Sequence, residues 1–485
     1  MPSAKALESA AISKLLTSSH RAKSASAEDA IVEDAQQRLR WRPIWCAIVE
    51  EMYTADLISC AERQNLLNST GELPVEVMNL EARRRLKFFE RSLADPGLRD
   101  SLGVLRAPTL TVLVPHYGET ILVPYASLGA SSSHPEKTDA PEKEASIARG
   151  TLGKEVSTSK SSKRRSVLSN LRSMSILPGA RTMSILGRAG LEKSMALIQE
   201  ENNAMYASVM GFLVAYSNDE WNNFKERMEA VVTPALVDER SEATTRRQAQ
   251  KAAAVRVWAS LRLQTLYRTI KGMMKNRSAY SLLLHATLPD LSDEAHERLL
   301  NAKYRCVAAC QRYGVMSAAE LDDMEEMWAE MPALTVAYIV QESDKDGNPR
   351  FFSCLTDGGC KLGADGRREP RYRVELPGQP ILGNGKSDNQ NHAIIFSRGN
   401  IIQAIDANQD GYLEESLKLP NALREFEPTC DAPAPAIVGF REYIFSGLGA
   451  LGAFAAASEM VFGGLAQRTM ADICHSRYHY GRSCL

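Results

Sequence analysis

The chain has 485 residues, 44% of them hydrophobic and 24% charged, with 58 Lys and Arg against 59 Asp and Glu for a formal charge of −1. That length holds two to four domains of about 100–200 residues each and excludes a small disulfide-stapled scaffold, and the balanced charge supplies no global field toward nucleic acid. Nine cysteines without a CxxC pair read as thiols in a reducing compartment, and Cys306 and Cys310 fall four apart in a stretch that reads as helical. There is no uncharged apolar run of about 18 residues, and the start MPSAKALESAAISKLL has no signal-peptide core. Composition alone therefore describes a soluble cytosolic chain.

In chain order, residues 28–99 carry helical spacing, as in NLEARRRLKFFERSLADP, where Leu80, Leu86, Phe88, Phe89 and Leu93 are expected to share a buried stripe and Asp95-Pro96-Gly97 to end the helix. PTLTVLVPHYGE then reads as a strand that Pro115 terminates. From Gly129 to about Gly190 the sequence is rich in Ser, Lys and Arg and poor in aromatics, which predicts disorder. Between Lys154 and Gly190 eight Lys and Arg face Glu155 alone. That tract suits either a phosphoregulated basic loop touching anionic lipid or a plain solvated spacer. Helical patterns resume over 197–330, and from Leu334 short β-rich runs follow: LTVAYIVQE, RFFSCLTD, RYRVELPG, HAIIFSRG and IIQAIDANQD. The expected class is mixed α/β. The expected divisions are 1–105 (helical), 106–129 (first nucleotide-binding strand and loop), 130–195 (disordered insertion), 196–332 (helical) and 333–485 (sheet-rich donor-binding part).

Three stretches carry polar groups suited to chemistry. Pro115-His116-Tyr117-Gly118-Glu119 leaves the first strand, where ligands of open α/β sheets bind; His116, Tyr117 and Glu119 either contact a nucleotide or merely cap the next element. Gly383 to His392 (GNGKSDNQNH) packs Lys386, Asp388, Asn389, Asn391 and His392 beside flexible glycines. Such groups are costly to bury without partners, and Lys386 can approach a diphosphate as a point charge, although the glycine spacing is not that of a Walker A loop. Ile405 to Glu415 places Asp406, Asn408, Asp410 and Gly411 at positions 1, 3, 5 and 6 of an EF-hand, but position 12 falls on Leu417 and the entering segment is strand-like. The rival reading is a strand ending in acidic residues, with Asp406 beside a sugar-nucleotide diphosphate or its metal.

At these residues the sequence resembles the 1,3-β-glucan synthase and callose synthase family, glycosyltransferase family 48. The likeness runs through EARRRLKFFERSL and TLTVLVPHYGETI within 81–121, EWNNF at 220–224, RVWASLRLQTLYRTIKGMM at 256–274 and AYIVQE at 337–342. It continues through GQPILGNGKSDNQNHAIIFSRGNIIQAIDANQDGYLEESLK at 378–418 and AIVGFREYIFSGLGALGAFAAASEMVFGGLAQRT at 436–469. The resemblance implies a GT-A-like α/β domain, incomplete at its C-terminus, that transfers glucose from UDP-glucose to a growing (1→3)-β-glucan with inversion. It implies catalytic roles for Lys386, at the diphosphate, and Asp406, at the donor or a divalent metal such as magnesium. Donor-binding roles fall to His116, Tyr117, Glu119, Asp388, Asn389, Asn391, His392 and Asp410. A Rho-type GTPase partner and the cytosolic face of the plasma membrane follow from the same likeness, and the 130–190 insertion departs from it. On this reading the acceptor-side base and the membrane spans lie beyond Leu485, and the chain alone makes no polymer. The alternative is a truncated, non-catalytic paralogue that binds UDP-glucose or a regulatory partner; an open frame encoding the missing half after Leu485 would decide against it.

Overall fold

The computed structural model describes residues 42–69, 77–93, 104–116, 118–128, 209–231, 242–380, 386–407, 409–428, 433–438 and 449–459, with isolated positions up to 469. The expected insertion at 130–195, the Asp95-Pro96-Gly97 stop, Tyr117, Asn408 and the glycines of 383–385 lie outside the described residues. The chain divides into two compact units, Met1–Val123 with Tyr216–Leu485, and Pro124–Ala215. The second contributes the 3-10 turn Tyr125–Leu128 and most of the helix Val209–Tyr216.

The first unit is mixed α/β, built on a six-stranded sheet of β1 (Leu110–His116), β2 (Tyr304–Cys310), β3 (Leu334–Ser343), β4 (Pro349–Asp357), β5 (Tyr372–Glu375) and β6 (Ile401–Ala404), in the order β5-β4-β3-β2-β1-β6. β1 pairs in parallel with both β2 and β6, and β2 in parallel with β3, whereas β4 and β5 extend the sheet antiparallel. All seven residues of β1 are buried, as befits a central parallel strand covered on both faces. Alternation along it sends Val112 and Val114 to one face, packed with Tyr267, Ile270, Cys306 and Met324, and Leu113 to the other, with Val307, Ala337, Leu355, Ala393 and Phe396. Pro115 does not end the strand. The β6 ladder stops at Leu113↔Ala404, so the missing N–H of Pro115 falls past the last pair on that side.

Helices flank the sheet: residues 42–54 (α1), Cys60–Asn68 (α2), Leu80–Leu93 (α3), Asn218–Val231 (α4), Glu242–Ser260 (α5), Leu266–Thr287 (α6), Asp293–Lys303 (α7), Ala318–Glu330 (α8), Lys386–Ala393 (α9), Leu413–Ser416 (α10), Leu419–Arg424 (α11) and Gly449–Glu459 (α12). Several starts are chemically specified. Ser59 and Glu62 form a capping box on α2, Ser317 and Glu320 another on α8, and the Thr265 and Ser292 side chains accept from the first turns of α6 and α7. Among the described residues no helix is long and apolar enough to cross a membrane.

Three further sequence expectations are corrected. Cys306 and Cys310 lie on β2, not on a helix: the run CVAAC is covered on both faces and so lacks the alternation that marks a strand. Burial pushes the Cys306 thiol up to about 12. The segment HAIIF is not a strand; α9 ends at Ala393 and a 3-10 turn follows at Ile394–Phe396. On α3 the buried positions are Ala82, Arg85, Leu86 and Phe89, while Leu80 is exposed. The stripe is rotated because Arg85 has carboxylate partners waiting inside.

The strings at 220–224 and 256–262 pack on one another. Trp221, Phe224 and Trp258 form a ring cluster with centroids 5.0–6.0 Å apart. Arg262, fully buried, stacks 4.0 Å from the centre of the Trp258 ring and bonds Glu220 at 2.7 Å. Gly449, with φ +72°, opens α12 against the Arg262 backbone, where a Cβ would lie 2.8 Å from Arg262 Cα.

Candidate functional site

The strand order places a topological switch point between β1 and β6. From β1 the chain builds the sheet one way through β2 and β3, and only later returns to place β6 on the other side of β1. Ligands of open α/β sheets bind outside the carboxyl ends of strands at such a point. Three segments meet there: the turn after β1, the start of α9 and the loop after β6.

α9 ties them together. Asn389, fully buried, donates through Nδ2 to the His116 carbonyl at 2.9 Å. Gln390 donates through Nε2 to the carbonyls of Leu113 and Ile405, each at 2.9 Å. Lower on the same strand, Arg398 N donates to Thr111 Oγ1 at 3.1 Å, so the segment from α9 onward descends β1 from its carboxyl end. Lys386 opens this helix at the strand-end edge, about one turn before Gln390.

His116 ends β1. Its Nε2 is 2.8 Å from the Glu119 carbonyl, so that nitrogen carries the proton, and burial lowers the imidazole below its ordinary range. The Glu119 carboxylate, half-buried, accepts from Gly118 N at 3.3 Å. Asp406 follows β6 by two residues and is half-buried; its N–H donates to Gln409 Oε1 at 3.0 Å. The next carbonyl, of Ala407, accepts from Thr269 Oγ1 of α6 at 2.6 Å. Asp388 lies in the first turn of α9 and Asn391 is exposed on it.

His392 points away from this edge. It lies under the sheet face with Nδ1 2.9 Å from Ser353 Oγ of β4, and burial holds its ring neutral with a pKa lowered to about 4. Because the unfolded chain binds this proton at the ordinary 6.5, stability is expected to fall as pH drops from 6.5 toward 4, by up to about 3 kcal/mol from this group. Urea unfolding across that window, compared with His392→Gln, reads the effect: the variant loses that part of the slope.

Asp410 also turns inward, and the reason is a buried charge network. Its carboxylate lies 3.5 Å from Arg268 Nε and 3.6 Å from Lys275 Nζ, both on α6. Lys275 reaches Glu51 of α1 at 3.0 Å and the Gly411 carbonyl at 2.7 Å. Arg85 of α3 joins Glu51 to Glu414, which it meets through two bonds of 2.7 and 2.8 Å, and lies over the Tyr412 ring. Burial would raise Glu51, but the charges of Arg85 and Lys275 hold it down at about 2. Glu415 beside this network is pushed up to about 8 by burial and by Glu414. With two cations on the Asp410 carboxylate and a strand rather than a helix entering, the loop is not an EF-hand. Among the described residues no cluster of three or more His, Cys, Asp or Glu gathers a metal.

Gly272 explains how α6 comes so close to this loop. A Cβ there would lie 2.4 Å from Asp410 Oδ1 and 2.9 Å from Asp410 Cα. Gly272→Ala is expected to lower stability by about 1–3 kcal/mol in denaturant melts, as overpacking does; an unchanged midpoint would show that the loop yields freely.

Fold and site thus define an open α/β protein with a strand-order reversal, beside which lie the helix that Lys386 opens and, two residues past β6, Asp406. The chain belongs to the family described as 1,3-beta-glucan synthase component, which matches residues 191–483. It is 34% identical over 436 residues to the 1,3-beta-glucan synthase component FKS1 of Aspergillus niger, a match covering 83% of this chain and 20% of that protein. It is 33% identical over 501 residues to FKS3 of Saccharomyces cerevisiae, covering 90% of this chain and 26% of that protein. Callose synthase 5 of Arabidopsis thaliana is 34% identical over 312 residues, covering 58% of this chain and 16% of that protein. The chain therefore spans a fifth to a quarter of the length of these fungal relatives.

Proposed function

We propose that this chain forms the donor-binding part of a 1,3-β-glucan synthase, a GT-A-like glycosyltransferase region that takes glucose from UDP-glucose for a growing (1→3)-β-glucan at the cytosolic face of a membrane. The observation that supports this reading most is the meeting of β1, β6 and α9 at the switch point, in a chain of this family.

In this reading the uridine lies at the exit of β1, near His116, Tyr117 and Glu119. Lys386 is assigned to the diphosphate, whose departure leaves negative charge that a fixed cation stabilises. Asp406 meets the donor from the β6 side. Asp406 would hold a magnesium ion together with diphosphate oxygens, one carboxylate with phosphate ligands being a usual set for this ion, and the ion would supply positive charge to the leaving diphosphate. The glucose is α-linked in UDP-glucose and β-linked in the product, so the acceptor 3-hydroxyl attacks in line, opposite the leaving group, and a carboxylate base takes its proton. A glucan acceptor and a Rho-type GTPase regulator belong to the same proposal. Asp410 and His392 hold the fold around the donor and do not touch it.

Hydrogen–deuterium exchange of the purified chain with and without UDP-glucose tests this placement. Protection is expected at 113–121, 386–393 and 404–411, with α3 and α7 unchanged. Protection elsewhere, with these segments unaffected, would move the donor to another surface.

A further inference from the structure

β6 is a poor platform for a site residue. It is four residues long and, among the described residues, lies at the edge of the sheet and pairs with β1 alone, and Ile402, Gln403 and Ala404 are exposed. Short edge strands with one partner open readily. The ladder ends at Leu113↔Ala404, one residue short of Ile405 and two short of Asp406. Beyond it, Ile405 N still reaches the Leu113 carbonyl at 3.2 Å.

The remaining tie is Gln390. Its amide has two N–H bonds, and they are spent on the Leu113 carbonyl of β1 and the Ile405 carbonyl, the peptide group that leads into Asp406. The residue is 6% exposed, so these bonds form away from competing water. One amide therefore sets three relations at once: the gap between β1 and β6 at their ends, the height of the Asp406 backbone above the sheet, and the position of the helix that Lys386 opens. Gln409 and Thr269 fix the residues just after, through Asp406 N and the Ala407 carbonyl.

We infer that Gln390 is a positioning residue of the donor site, holding Asp406 and the start of α9 at the separation that a nucleoside diphosphate sugar spans. This rests on the donor-site reading of Asp406 and Lys386 given above.

The test uses the purified 485-residue chain and two variants, Gln390→Met, which keeps the side-chain length without donors, and Gln390→Glu, which keeps the shape and offers a carboxylate to two carbonyls. Affinity for UDP-glucose is expected to fall about tenfold or more in both, while binding of uridine, followed by NMR and lacking the diphosphate, stays near the wild-type value. Exchange of the Asp406 and Ala407 amides is expected to speed up while β2 and β3 keep their protection. A folded variant that binds UDP-glucose as the wild type does overturns the inference. Equal losses for uridine and UDP-glucose also overturn it, because they report general damage. Failure of the wild type itself to bind UDP-glucose overturns the underlying donor-site reading instead, and is told apart because it appears before any substitution.

Discussion

Arg85→Ala is expected to lower the unfolding free energy of the chain by about 3–5 kcal/mol, the cost of removing one partner from a buried ion pair. The Arg85 and Glu414 side chains are 1% and 0% exposed, so the stranded carboxylate cannot recover its hydration. The loss spreads further, because Arg85 also meets Glu51, which shares Lys275 with Asp410. Named in full, the network sets Arg85, Lys275 and Arg268 against Glu51, Asp410 and Glu414, a balance of charge that single substitution breaks. Replacing Arg85 and Glu414 together by Met and Leu is expected to cost less than Arg85→Ala alone, since no unpaired charge remains between them. Chemical denaturation of wild type, Arg85→Ala and the double variant checks this, and a double variant that loses as much as Arg85→Ala or more would contradict it.

Lys386→Ala is expected to weaken UDP-glucose binding about tenfold to a hundredfold, the value of a bond to a charged group. Lys386→Arg keeps the charge and is expected to lose less, although a planar fork does not replace a point charge on a diphosphate. Thermal stability is expected to change little in either variant, because Lys386 stands at the first position of α9, ahead of the docking contacts that Asn389, Gln390, His392 and Ala393 make. Titration of the two variants with UDP-glucose, with melting curves recorded alongside, separates loss of binding from loss of fold.

Much of the fold was legible in the residues themselves. β-branched alternation marked β1, β3 and β4, and helical spacing marked α5, α6 and α8. The misread elements share one physical cause: burial by groups that carry no simple hydrophobic signal. β2 is an Ala- and Cys-rich strand covered on both faces, so it shows neither alternation nor polarity. α9 buries Asn389, Gln390 and His392 toward the sheet, bonded through Asn389 Nδ2, Gln390 Nε2 and His392 Nδ1, so its inner face reads as polar. The density of amides in GNGKSDNQNH was a fair signal that these groups are bonded, but one sequence could not divide those that brace the sheet from those at the strand-end edge. Gln390 carries no separate signal for that reason. Asp406 and Asp410, four residues apart in one acidic loop, looked alike in sequence; only the approach of α6 at Gly272, with Arg268 and Lys275 beside it, turns Asp410 inward.

Calorimetric titration of the purified 485-residue chain with UDP-glucose, alongside Asp406→Asn, addresses the central claim most directly. Saturable binding at one site, weakened about tenfold or more in the variant with its melting temperature retained, is the predicted result. A folded wild-type chain that takes up no UDP-glucose, or an Asp406→Asn chain that binds it equally well, would contradict the assignment of the switch point between β1 and β6 as the donor site.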